Sequence, residues 1–204
     1  MSLEIEKRFI NFDYNEMKGI LSEKCDHIGS FLYTFSSYKG TKPGQSIRVR
    51  DEGSKITFTV KQKNENNYDT EWEVVVSNYK MLDLMLTEMG ISKRYTMQKF
   101  REIYKTKNGN SEIIFDHNPA LPPYIEIESI SEDELLETMK TLNLKEEKDF
   151  SARTLYYDLY GIQQERESDC LTFSTAEDVL SQYITKNKTD FLEKLNSQKE
   201  QYLS

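Results

Sequence analysis

Apolar and polar residues alternate over eight stretches of this chain, at about 3–10, 31–36, 45–51, 55–63, 69–76, 96–106, 111–116 and 123–130. A period of two sends successive side chains to opposite faces, so each stretch predicts a β-strand with one apolar and one polar face. Turn signals separate several of them: Asp51-Glu52-Gly53-Ser54, Asn64-Glu65-Asn66-Asn67 and Lys107-Asn108-Gly109-Asn110, each suited to a tight reversal. Helical spacing interrupts the alternation. Residues 13–25 put Met17, Ile20 and Leu21 on one stripe. Residues 77–89 carry Met81, Leu82, Leu84, Met85, Leu86 and Met89 before Gly90, a good helix terminator. Ser131 and Glu134 match a capping box that opens a helix to about Leu142,. Residues 151–160 predict a short helix stopped by Gly161.

From about residue 162 the pattern changes. Gln163-Gln164-Glu165-Arg166-Glu167-Ser168-Asp169 reads as a polar linker, and Ser174 with Glu177 opens a helical stretch to about Gln198. The expected organisation is therefore one domain over 1–161 and a linker with a helical extension over 162–204. That extension could plug a barrel mouth, form a homodimerisation arm, or lie solvated on the surface. Strands in up-and-down order with helices between them predict an α+β fold, an antiparallel eight-stranded barrel closed or nearly closed, with helices around it. Closure would turn one face of every strand inward.

The polar faces are unusual in sign. Like charges pair at i and i+2 in Glu4/Glu6, Arg48/Arg50, Lys61/Lys63, Glu71/Glu73, Lys99/Arg101 and Glu126/Glu128. Neighbouring like charges destabilise a solvated sheet face, so such blocks imply a use: a cationic floor and an acidic, metal-holding wall suit a polyanion such as a triphosphate. The apolar residues between them (Ile47, Val49, Phe58, Val60, Trp72, Val74, Phe100, Ile125 and Ile127) predict core beneath the helices. Taken alone, Glu71 and Glu73 read equally well as a solvated pair.

Net charge is −8, which argues against nucleic-acid and acidic-membrane partners but leaves room for an anion held by clustered cations. No apolar run approaches the roughly 18 residues of a membrane span. The first residues lack the basic-then-apolar pattern of a secretory leader. Cys25 and Cys170 have no metal or redox spacing and read as free thiols, so a cytoplasmic location is expected. His27 and His117 are too isolated for a metal pair, and His117 reads as a loop residue.

Glu4-Ile5-Glu6-Lys7-Arg8 resembles the ExExK signature of the CYTH superfamily, the triphosphate tunnel metalloenzymes. The later blocks resemble that family's succession in order: RxR at 48–50, a lysine closing a strand at Lys61, ExE at 71–73, and Lys99-Phe100-Arg101-Glu102-Ile103-Tyr104 for its KxRxxY element. Asp116 followed by Tyr124-Ile125-Glu126-Ile127-Glu128 resembles its aspartate and terminal ExE. The resemblance spans roughly residues 3–160 and departs at Arg8, where the signature has lysine.

The resemblance implies a tunnel in which Mg2+ or Mn2+ is held by Glu4, Glu6, Asp116, Glu126 and Glu128, with Glu71 and Glu73 assisting. It implies phosphate contacts from Arg8, Arg48, Arg50, Lys61, Lys99 and Arg101, with Lys63 beside Lys61 on the same face. Lys61, with Tyr33 at a position where some family hydrolases carry a tyrosine partner, is the implied catalytic pair. The expected activity is hydrolysis of the terminal phosphate of a triphosphate: tripolyphosphate, thiamine triphosphate or ATP. The rivals are an adenylyl cyclase of the same superfamily and a non-catalytic polyphosphate-binding or nucleotide-binding module.

Overall fold

A computed structural model of the chain describes residues 5–63, 69–146, 148–163 and 170–203. Glu4, the 64–67 turn and most of the 163–169 linker lie outside the described residues. The elements run β1 (Ile5–Phe9), α1 (Tyr14–Lys24), β2 (Cys25–Lys39), β3 (Gln45–Asp51), β4 (Ile56–Lys63), β5 (Asp69–Val76), α2 (Tyr79–Glu88), β6 (Lys93–Thr106), β7 (Ser111–His117), β8 (Tyr124–Ser129), α3 (Glu132–Thr141), α4 (Ala152–Tyr160), β9 (Cys170–Leu171), α5 (Ala176–Leu180) and α6 (Lys188–Tyr202). Ser131 and Ser151 cap α3 and α4 with their side chains, and Gly161 ends α4 in the left-handed region at φ 69°.

Eight strands form one antiparallel sheet in the order β1-β8-β7-β6-β2-β3-β4-β5, and the two-residue β9 adds in parallel to β6. The sheet is not closed by hydrogen bonds among the described residues; β1 and β5 are its edges. Its curvature nevertheless brings side chains from all eight strands around a single cavity of about 690 Å³.

The apolar face of the sheet points outward and is covered by helices. Phe9, Ile125, Ile127, Ile113 and Phe115 pack under Met17 and Leu21 of α1 and Leu135 and Met139 of α3. Tyr38, Ile47 and Val49 meet Leu86 of α2. The third core joins α4, α5 and α6 to the β7–β8 loop through Leu121, Tyr156, Tyr160, Phe173, Leu180, Phe191 and Leu195. Gln198 on α6 stitches that loop directly, accepting from Ala120 N and donating to the Asn118 and Leu121 carbonyls at 3.1 Å. No helix among the described residues is long and apolar enough to cross a membrane.

Four expectations need correction. β2 starts at Cys25, not at about 31, because its polar first half pairs with β6 through a bulge between His27 and Gly29. At Gly29 an added Cβ would stand 2.5 Å from the Phe31 ring, so any larger residue at the bulge would have to displace that ring. The 174–198 helix is two, α5 and α6, broken where Asn187 takes φ 55°. Trp72 and Val74 are more than half exposed rather than core, since they belong to edge strand β5. His117 is a buried residue of β7, not a loop residue.

Candidate active site

Alternation delivers charged residues from six strands to the cavity. Glu6 and Arg8 point inward from β1, Arg48 and Arg50 from β3, Lys61 from β4, Glu71 and Glu73 from β5, Lys99 and Arg101 from β6, and Glu126 and Glu128 from β8. Tyr33 lines it from β2. Lys63 is exposed at the end of β4 and is not among the lining residues.

The acidic wall arises from one register. β1 and β8 pair so that Glu6 faces Glu128 and Arg8 faces Glu126. Glu6, Glu126 and Glu128 each offer an oxygen within 4.8 Å of the others. Three carboxylates at that spacing fit a hard divalent cation, which takes oxygen ligands and keeps several waters. Asp116, Glu71 and Glu73 do not join this cluster.

Asp116 instead anchors the cationic floor. It is fully buried opposite Arg101 on β6. Arg101 donates from Nε to Oδ1 at 2.6 Å and from Nη2 to Oδ2 at 2.8 Å, and Lys99 donates to Oδ2 at 2.7 Å. Burial would raise the Asp116 carboxyl, but Lys99 and Arg101 outweigh it and hold it well below the usual carboxylate range,. Arg101 is raised in turn: burial works against its charge, and Asp116 and Glu126 overcome that. Lys99 is pushed down by burial, with Arg101 adding to the effect and Asp116 opposing it.

Across the cavity, the Lys61 ammonium lies 2.8 Å from a Glu71 oxygen, and Thr59 donates to Glu73 at 3.0 Å. Arg50 donates to Glu52 at 3.1 Å. Arg48 differs: no described carboxylate lies within 4.0 Å of it, and its guanidinium sits 5.5 Å from the Phe35 ring centroid. Burial, then Arg50, pushes Arg48 below the ordinary arginine value. A half-buried guanidinium with no ion pair to a described carboxylate has much to gain from an anion.

Tyr33 carries the Arg101 guanidinium at 5.4 Å from its ring centroid. Burial, then Glu52, raises its phenol above the ordinary value. That leaves Tyr33 a hydrogen-bond donor near neutral pH rather than a base.

Glu52, Glu112, Phe35 and Tyr124 also line the cavity and were not singled out in the sequence. Glu52 was hidden in a turn motif. Glu112 was findable, because it stands two and four residues before Ile114 and Asp116 on the same face.

No family profile matches the chain, and no curated protein matches it in sequence. Solved structures do match in shape. A Vibrio parahaemolyticus protein described as a candidate adenylate cyclase superposes with TM-score 0.62 at 13% identity, over 76% of this chain and 97% of that one. A Pyrococcus horikoshii protein does so with TM-score 0.58 at 20% identity, over 71% and 92%. The chain has their fold. A Hippeastrum protein, described as a candidate adenylyl cyclase with a dominant triphosphatase activity, gives TM-score 0.51 at 15% identity, over 78% and 95%. At these identities the likeness is one of fold, over 71–78% of this chain.

Proposed function

We propose that the chain is a metal-dependent enzyme of the CYTH superfamily that hydrolyses the terminal phosphate of a triphosphate inside the eight-strand cavity. The observation that carries this reading is the lining itself: a three-carboxylate cluster on β1 and β8 shares one cavity with arginines and lysines from β3, β4 and β6. Phosphoryl transfer needs positioning and charge stabilisation more than covalent help, and this lining offers both.

Glu6, Glu126 and Glu128 would hold Mg2+ or Mn2+, which when bound neutralises phosphoryl oxygens. Arg48 and Arg50 would bind the anion from one side. Lys99 and Arg101 would bind it from the floor, kept in place by Asp116. Lys61, steadied by Glu71, would hold the attacking water, and Tyr33 would donate to an oxygen of the substrate. Water forms the new bond to the terminal phosphorus, the bridging P–O bond breaks to leave the diphosphate product, and water's protons pass to the released phosphate and to solvent.

We read hydrolysis ahead of cyclisation on the aromatic lining. The faces of Tyr33 and Phe35 already carry Arg101 and Arg48, and Tyr124 packs edge-on with Phe150. A guanidinium thus already occupies one face of each of the Tyr33 and Phe35 rings, where a purine would otherwise stack. The Hippeastrum protein's described triphosphatase activity accords with this preference.

The test is purified protein with Mg2+ or Mn2+ against tripolyphosphate, thiamine triphosphate and ATP, scoring orthophosphate, pyrophosphate and cyclic AMP. Orthophosphate release abolished by a chelator is expected. Cyclic AMP with pyrophosphate would establish the cyclase, and no product from any substrate would leave the binding module.

A further inference from the structure

Arg8 stands where the CYTH-like signature has lysine, and the structure shows what the guanidinium does there. Its Nε donates to Glu126 Oε2 and its Nη2 to Glu6 Oε1, both at 2.8 Å. The other Glu126 oxygen accepts from Arg101 Nη2 at 3.2 Å. Two of the three carboxylates that cluster on this wall are therefore bridged by one side chain, and Glu126 has both oxygens engaged by guanidinium groups.

A divalent cation on Glu6, Glu126 and Glu128 competes with Arg8 for two of these carboxylates, and at Glu126 finds both oxygens already engaged. Arginine cannot yield them by losing a proton, since its pKa lies far above neutrality. It can yield them only by swinging away. Geometry permits this, because the Arg8 and Glu6 side chains are 34% and 50% exposed, on an edge strand and at the cavity wall. An anion in the cavity offers the guanidinium an alternative bidentate partner.

We propose that Arg8 is a resident counter-ion that keeps the acidic wall closed to divalent metal until an anion in the cavity draws it off Glu6 and Glu126. The proposal rests on the metal reading above. It makes metal and anion binding cooperative through one side chain, and reciprocity then requires each to tighten the other. Lysine at this position would behave differently: a compact ammonium cannot span two carboxylates with two separate nitrogens.

The experiment is Mn2+ titration followed by electron paramagnetic resonance, on the full chain and on Arg8→Gln, Arg8→Lys and Arg50→Gln. Arg8→Gln should bind Mn2+ about tenfold tighter than the parent, within the range of couplings between two sites, with Arg8→Lys in between. Arg50→Gln controls for charge: it removes the same charge from the same cavity but does not touch Glu6 or Glu126, so its gain should stay under about threefold across a screened distance. Exchanging sodium chloride for sodium sulfate at equal ionic strength should tighten Mn2+ on the parent and leave Arg8→Gln unchanged.

Equal affinities for Arg8→Gln and Arg50→Gln, or a parent indifferent to sulfate, overturn the proposal while the metal reading stands. Absence of Mn2+ binding by every protein overturns both. Circular dichroism checks each fold, and if Arg8→Gln does not fold, Arg8→Lys carries the test: an affinity equal to the parent's refutes the lock.

Discussion

Asp116→Asn separates two roles for a carboxylate that sequence alone treats as one. The resemblance implied a metal ligand; the structure places Asp116 beneath Lys99 and Arg101, accepting three charge-assisted hydrogen bonds of 2.6–2.8 Å with no exposure. Asparagine keeps the volume but removes the charge and one acceptor, and leaves two cations side by side in the floor. Breaking a buried pair in this way costs about 3–5 kcal/mol. For a chain of this length that corresponds to a fall in Tm of roughly 6–20 °C.

The loss should be greatest near neutrality. A carboxyl held below its ordinary value stabilises the fold above that value and loses the contribution as pH falls through the folded pKa. The parent should therefore weaken below about pH 4 while the variant changes less in that window, 3.8 being the ordinary aspartate value. Tripolyphosphate without metal should restore part of the lost Tm, because the uncompensated floor then binds anion more tightly.

The assays are thermal melts from pH 2.5 to 7 with and without tripolyphosphate, and Mn2+ titration of Asp116→Asn beside Glu126→Gln. A Tm loss under about 2 °C (well short of the range above) would refute the floor reasoning. So would a loss of Mn2+ affinity exceeding that of Glu126→Gln, which would return Asp116 to the metal.

Three further outcomes are expected. Arg48→Ala should weaken tripolyphosphate binding by about 1.5–3 kcal/mol, as for a hydrogen bond to a charged group, without lowering Tm, since no described carboxylate loses a partner; calorimetry and a melt check both. Lys61→Ala should lower kcat about 100-fold, as for the loss of one preorganised donor at the reacting centre, with a smaller effect on KM in a phosphate-release assay. Glu102→Gln should destabilise the fold at pH 7 and much less at pH 2. Burial alone would raise that carboxyl, but hydrogen bonds from His117, Lys18 and Tyr14 lower it to about 2; its stabilisation is therefore present above the ordinary value of 4.5 and disappears toward 2, which urea midpoints at the two pH values would show.

How far the sequence reached follows from what a period of two can report. Alternation names the face on which a side chain lies, so the inward charges of Arg48, Arg50, Lys99, Arg101, Glu126 and Glu128 were legible. It does not name the partner opposite. Asp116 and Glu126 look alike in one dimension; the β6–β7 register sets Asp116 against Arg101, and the β1–β8 register sets Glu126 against Arg8. One carboxylate thus becomes an anchor for cations and the other part of a cluster that could hold one.

Nor does alternation say what covers the outer face. Tyr79, Leu82 and Leu86 seat α2 over β3 and β4, which leaves Trp72 and Val74 on edge strand β5 uncovered despite a fully apolar pattern. The first half of β2 was illegible for the converse reason. Cys25 to Ser30 carry no alternation and are extended because β6 pairs with them, from Thr106 opposite Cys25 to Glu102 opposite Ser30. Such pairing lies far apart in sequence and supplies the hydrogen bonds that local propensity does not. The consequence for function is direct: Tyr33, on the second half of that strand, stands opposite Lys99 because the long ladder fixes its register, and a slip of one residue would turn it out of the cavity.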